Sequence, residues 1–98
     1  MQKIEINKLE EAASRLKALA HPIRIAIIEL LEKHQQLSVT EITSFIKLDQ
    51  ASTSHHLQIL RSKGFISSKT VGKNRIYQLQ IQSISKLLEC LNSCAAYN

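Results

Sequence analysis

Ser38-Val39-Thr40-Glu41-Ile42-Thr43-Ser44-Phe45-Ile46, then Lys47-Leu48-Asp49, then Gln50-Ala51-Ser52-Thr53-Ser54-His55-His56-Leu57-Gln58-Ile59-Leu60-Arg61-Ser62-Lys63-Gly64: this stretch decides the fold. Ser38 and Glu41 stand at the capping-box spacing, the hydroxyl placed to accept a backbone N–H and the carboxylate to reach back. A short helix follows, with Val39, Ile42, Phe45 and Ile46 expected inward. Lys47-Leu48-Asp49 makes a turn, and Asp49 is placed to cap a second helix over about Gln50 to Lys63. Gly64 stands where a helix takes its left-handed C-terminal residue. Two β-like runs come next, Phe65 to Val71 and Arg75 to Leu79, joined as a hairpin by Gly72-Lys73-Asn74.

Upstream, Leu9, Ala12, Ala13, Leu16, Leu19 and Ala20 fall on one helical stripe between about Lys8 and Ala20. His21-Pro22 interrupts it, because proline disfavours helical geometry in the residue before it. Pro22 itself suits the first turn of a new helix, which runs to about Lys33. That helix presents Ile23, Ala26, Ile27, Leu30 and Leu31 on one face, with Ile25 and Ile28 beside it, so it is expected to be central. Gln35-Gln36-Leu37 reads as a loop. Downstream of the hairpin, a last helix over roughly Ser83 to Ala96 is expected to bury Ile84, Leu87, Leu88, Leu91 and Ala95. The order α-α-α-α-β-β-α is mainly helical with a small β-hairpin. It amounts to one winged helix-turn-helix domain over residues 1–98, since a short helix, a three-residue turn, a second helix and a basic hairpin follow one another directly.

The charge pattern points the same way. The chain carries 13 basic and 8 acidic side chains, a formal net charge of +5. Through residue 49 the signs cancel, seven against seven. From Gln50 to Lys86 there is no acid at all, against Arg61, Lys63, Lys69, Lys73, Arg75 and Lys86. Such segregation makes a local positive field that attracts polyanions. On the helix from Gln50, the positions Thr53, Leu57 and Leu60 form the inward stripe, which leaves Ala51, Ser54, His55 and Gln58 on the opposite side. Short polar side chains let a helix sink into the major groove, and Gln, Ser and His reach base edges. Gln50, Ser52, Ser54 and His55 are therefore the base-reading candidates, with Gln58 on the same face. Arg61 and Lys63, one turn later, suit phosphates, as does Thr40 near the start of the preceding helix. Lys73, Asn74 and Arg75 at the hairpin tip suit the adjacent minor groove or the backbone.

Two longer motifs carry a family resemblance. Ala18-Leu19-Ala20-His21-Pro22-Ile23-Arg24-Ile25-Ala26-Ile27-Ile28-Glu29-Leu30-Leu31 resembles the "ALADPTRLRILxLL" stretch of ArsR/SmtB repressors. Ser52-Thr53-Ser54-His55-His56-Leu57-Gln58-Ile59-Leu60-Arg61, continuing through Gly64-Phe65-Ile66 to Tyr77-Gln78-Leu79, resembles that family's recognition helix and wing. The resemblance covers roughly residues 9 to 97. It implies a homodimer held by the first and last helices, matching the stripes of Leu9, Ala12, Ala13 and Leu16 and of Leu87, Leu88 and Leu91. It further implies a double-stranded, inverted-repeat DNA operator and repression relieved by a signal.

The family's familiar metal sites do not carry over. The stretch Val39 to Thr43, where thiophilic-metal sensors hold a "CxC" pair, has no cysteine. The zinc-sensor positions on the last helix become Ile81, Ser83, Cys94 and Tyr97, of which three offer no suitable ligand. No metal or other cofactor is expected, apart from an ion that Cys90 and Cys94 could hold. Those two thiols, one turn apart, have two readings: a sensor for a metal or a thiol-reactive signal, or small packing residues. A repressor without any small-molecule sensor remains open, as does a winged-helix module that binds protein.

Other classes lose support. His21 and His34 fall at helix ends, where a partly positive ring would favour the dipole or face water, and His56 sits beside the inward stripe as a structural residue. No Ser/His/Asp arrangement, phosphate-cradling glycine loop or pair of convergent carboxylates occurs, so no enzyme is expected. No apolar run approaches the ~18 residues of a membrane span, and no signal-peptide pattern opens the chain, so the cytoplasm is the expected location.

Overall fold

The computed structural model describes residues 4–80 and 84–96; within the last helix the side chains of Ser85, Ala95 and Ala96 are left aside. Five helices and three strands follow in the order α1 (Ile6–Leu19), α2 (Pro22–His34), β1 (Gln36–Ser38), α3 (Val39–Ile46), α4 (Gln50–Ser62), β2 (Ile66–Val71), β3 (Asn74–Leu79) and α5 (Ile84–Ala96). The winged helix-turn-helix reading stands, with one correction. Gln36 and Leu37, expected in a loop, belong to a strand that pairs antiparallel with β3 in the register Gln36↔Gln78, Leu37↔Tyr77 and Ser38↔Ile76. The sheet order is β1-β3-β2. Three residues are too few to show a period of two, which is why β1 leaves no sequence signal.

The helix starts follow their caps. Ser38 Oγ accepts the Glu41 amide at 3.1 Å while Glu41 Oε1 accepts the Ser38 amide at 2.9 Å, a complete capping box. Those bonds hold the Glu41 carboxyl below its ordinary range. At α2 the cap is His21, whose Nδ1 accepts the Ile23 amide at 3.1 Å. His21, placed by the sequence at a helix end facing the dipole or water, serves here as the cap of α2. His34, at the other end of α2, stacks on Phe45 with ring centroids 5.0 Å apart.

The core forms around α2. Ile27, Ile28 and Leu31 are fully buried with Ile42 of α3, Leu57 and Leu60 of α4, and Ile66 of β2. Phe65, Tyr77, Leu79, Ile84 and Leu88 close it from the sheet and α5. Phe45, expected inward, is 52% exposed. The helical step of about 100° swings it to the side of Ile42 away from Val39 and Ile46. The terminal helices keep apolar side chains in the open. Leu9 and Leu16 are 53% and 56% exposed, with Ala12 and Ala13 also open, because α1 meets the body on its other side, at Ser14, and towards its end, at Ala18 and Leu19. On α5 the expected buried stripe splits. Ile84 and Leu88 turn inward, whereas Leu87 and Leu91 stay exposed. Leu88 is thus a core residue of its own protomer and not available for dimer contacts.

Candidate nucleic-acid interface

The turn between α3 and α4 is built on two residues. Lys47 closes α3 in the left-handed conformation, with φ 64° and ψ 38°, and its amide donates to the Thr43 carbonyl at 2.9 Å. Asp49 then opens α4. Its Oδ2 accepts the Ser52 amide at 2.8 Å and its Oδ1 accepts the Ser52 hydroxyl at 2.7 Å. The side-chain bond from Ser52, followed by the backbone one, holds the Asp49 carboxyl below its ordinary value. Thr53, fully buried, donates its hydroxyl to the Asp49 carbonyl at 3.0 Å. An anchored first turn of this kind presents the next residues at a fixed angle.

Those residues are the ones chosen as base readers, with two differences. Gln50, Ser54, His55 and Gln58 are exposed, as is Ala51 between them. Ser54, Gln58 and Arg61 run along α4 at steps of four and three, so Arg61 extends the same face by one turn. Ser52, by contrast, is half-buried and spends its hydroxyl on Asp49, which takes it from the base-reading group into the scaffold. Lys63 also departs from the face: its ammonium donates to Ser14 Oγ of α1 at 2.8 Å, tying α4 to the first helix. Thr40 is exposed in the first turn of α3.

The wing completes the surface. Val71 pairs with Asn74, so the connection is the two-residue turn Gly72-Lys73, tighter than the three residues expected. Gly72 has φ +63° and Lys73 does not share the positive value, the pattern of a II′ turn with glycine first. A side chain at Gly72 would meet nothing within 4 Å, so its role is conformational. Lys73, Asn74 and Arg75 are all exposed at this tip. Arg75 shares a face of β3 with buried Tyr77 and Leu79, and its guanidinium donates to Ser68 Oγ at 3.2 Å across the hairpin. Together with α4 the tip makes a two-pronged surface, basic and drawn from the stretch Gln50 to Lys86 that holds no carboxylate. A helix of groove-filling width beside a cationic hairpin suits double-stranded DNA.

Three residues behind this surface escaped the sequence reading as a group. Arg24 donates from Nε to His56 Nδ1 at 3.1 Å and from a terminal nitrogen to the Ala18 carbonyl at 2.9 Å, so one guanidinium joins α1, α2 and α4. The His21 and His56 ring centroids lie 4.6 Å apart. Burial, then the neighbouring His21 and Arg24, lowers the His56 ring below the ordinary histidine value. His56 is structural, as its position predicted, but its partner 32 residues away leaves no trace in a periodicity.

Cys90 and Cys94 are both exposed and unbridged. With Leu87 and Leu91 they lie at i, i+3, i+4 and i+7, one outward stripe of α5. Among the described residues no three His, Cys, Asp or Glu side chains converge as metal ligands, and no helix is long and apolar enough to cross a membrane. Ile81, Ser83 and Tyr97, the other positions weighed for zinc, lie outside the described residues.

Comparison with known proteins agrees with this geometry. The model of the family "Bacterial regulatory protein, arsR family" matches residues 21–68, from the cap of α2 to the start of the wing. The transcriptional repressor PagR of Bacillus anthracis is 36% identical over 90 residues, covering 92% of this chain and 90% of PagR. Its crystal structure superimposes with a TM-score of 0.75 at 33% identity, covering 89% of this chain and 99% of that one. NolR from Sinorhizobium fredii gives a TM-score of 0.83 at 28% identity, covering 96% of each chain. A winged helix-turn-helix fragment of Mb0332 from Mycobacterium bovis, 23% identical with a TM-score of 0.82 over 98% of this chain and 88% of that one, shares the fold. The chain belongs to the ArsR family of bacterial regulatory proteins and is a DNA-binding regulator, not an enzyme.

Proposed function

We propose that the chain is a homodimeric transcriptional repressor that reads an inverted-repeat operator with α4 and clamps its backbone with the wing. In this reading Ser54, His55 and Gln58 contact base edges, Gln50 works at the helix start, and Arg61, Thr40, Lys73, Asn74 and Arg75 hold phosphates or the minor groove. The observation that carries it is the exposed, acid-free face of α4 on a capped, core-anchored helix beside a basic hairpin tip. PagR, a repressor by name, supports the direction of regulation.

Support for the dimer comes from the terminal helices. Ile6, Leu9 and Leu16 of α1 and Leu87 and Leu91 of α5 are 38–60% exposed, and among the described residues the two helices make no contact with each other. Water-exposed apolar stripes of this extent mark interfaces. The radius of gyration is 15.0 Å, against about 13 Å for a compact chain of this length. A second copy covering both stripes would complete the core. Leu9, Ala12, Ala13, Leu16, Leu87 and Leu91 are then dimer residues, and Cys90 and Cys94 lie in the same seam. There the thiols either pack or respond to an oxidant or a thiophilic metal ion; a C90S/C94S double variant that keeps every response of the wild type assigns them to packing.

Selection of duplexes from a random pool tests the proposal. The expected product is an inverted repeat with half-sites about 10–10.5 base pairs apart or a multiple of that. A pool that shows no enrichment after several rounds contradicts sequence reading by α4.

A further inference from the structure

Arg24, on α2, is hydrogen-bonded to both α1 and α4, and its contact on the recognition helix is a titratable ring. Its guanidinium holds the Ala18 carbonyl at the end of α1 and, through Nε–H, the Nδ1 lone pair of His56 on α4. His56 follows directly on exposed His55 and lies between buried Thr53 and Leu57, so a displacement of His56 displaces the reading face. The bond demands an unprotonated Nδ1. A proton there would leave two donors facing each other and place a second positive charge against the guanidinium. The groups facing His56 reinforce this: they are the Arg24 guanidinium and the His21 ring from the start of α2 and the His55 ring from its own helix, with no carboxylate among them. The neighbouring His21 ring is itself held in place, its Nδ1 accepting the Ile23 amide that opens α2.

We propose that the Arg24–His56 hydrogen bond is a proton-sensitive joint that positions the recognition helix, so that uptake of one proton at His56 releases α4 from α1 and α2 and weakens operator binding. The inference rests on DNA reading by α4. Its sign sets it apart from simple charge: protonating exposed His55 adds attraction for any DNA, whereas protonating His56 costs the pose that a specific site requires. Burial and the neighbouring cations hold the ring below the ordinary histidine value, so the joint is closed at neutral pH and opens on the acid side.

The test follows the full-length protein from pH 8 to pH 5 by fluorescence anisotropy on its selected operator and on a scrambled duplex. In parallel, NMR records the His56 ring, the Arg24 Nε–H and the α4 amides. Operator affinity should fall below the His56 midpoint with a slope approaching roughly tenfold per pH unit, the limit for exclusion of one proton. Affinity for the scrambled duplex should hold or rise. His56→Gln, whose side-chain carbonyl can accept the Arg24 bond but takes up no proton, should flatten the operator profile. His21→Asp, which keeps a capping oxygen and places a carboxylate near the ring, should move the loss to higher pH. An operator profile that stays level while His56 titrates, an H56Q variant with the wild-type slope, or α4 amides that ignore the His56 proton would each overturn the joint. Absence of operator binding at pH 8 would count against DNA reading itself, and the NMR titration would still decide whether the joint opens.

Discussion

Asp49 holds the most concentrated set of bonds near the reading face, and its contribution is conformational. Its carboxylate satisfies the Ser52 amide and hydroxyl at the start of α4. Removing such a cap destabilises the start of the helix, so Asp49→Ala should lower the urea midpoint, with Asp49→Asn retaining most of it. The pH dependence of stability follows from the lowered groups. Asp49 and Glu41 titrate below their ordinary carboxylate range, so what they contribute is present above that range and lost as pH falls through their lowered values. His56 is lowered too, which favours its neutral form. Its loss therefore begins as pH drops below about 6.5, where the unfolded ring takes up a proton that the folded one resists. Urea midpoints measured from pH 8 to pH 3 should decline in these two stages, and the first should be missing in H56Q. On the reading face the replacements separate by kind. Gln58→Ala or His55→Ala should cost about 1–3 kcal/mol on the operator and relax base preference, while Arg61→Ala should weaken all duplexes alike.

At the scale of elements, what was legible followed from patterns that repeat locally. Ser38 and Glu41 announced α3, Asp49 and Gly64 bracketed α4, and Thr53, Leu57 and Leu60 identified its buried side; each signal lies within a few residues of its effect. Three features were not legible because their partners are distant or missing. β1 exists only because β3 offers it an edge 40 residues later. Lys63, basic and on the right helix, turns to Ser14 of α1, a choice only the packing of those helices decides. The apolar stripe of α5 reads as buried, yet Leu87 and Leu91 stand in water like Leu9 and Leu16 of α1, since periodicity marks an apolar face without saying what covers it. That difference makes a prediction about α5. Leu91→Glu places a charge in the proposed seam without touching the protomer's own core, so light scattering should report a monomer and operator affinity should drop by orders of magnitude. Leu88→Ala empties a core position instead and should cost about 2–5 kcal/mol of stability.

The whole molecule joins a cationic, acid-free reading surface to terminal helices whose apolar faces are exposed, the faces proposed to pair with a second copy. Two such surfaces related by a two-fold axis would meet successive major grooves on one side of a duplex, which is how a chain of 98 residues can acquire an operator-sized footprint. Most of the affinity in such a contact comes from phosphates, and its signature is counterion release. The central claim is therefore tested most directly by the salt dependence of operator binding, measured by anisotropy between 50 and 200 mM salt for the wild type and for a variant with Arg61, Lys73 and Arg75 replaced by alanine. A dimer touching about 6–10 phosphates should lose roughly 10³–10⁵ in affinity across that range, and the variant should show a shallower slope. Affinity that barely changes with salt, or a variant slope equal to that of the wild type, would contradict the assignment of α4 and the wing as the DNA-binding surface.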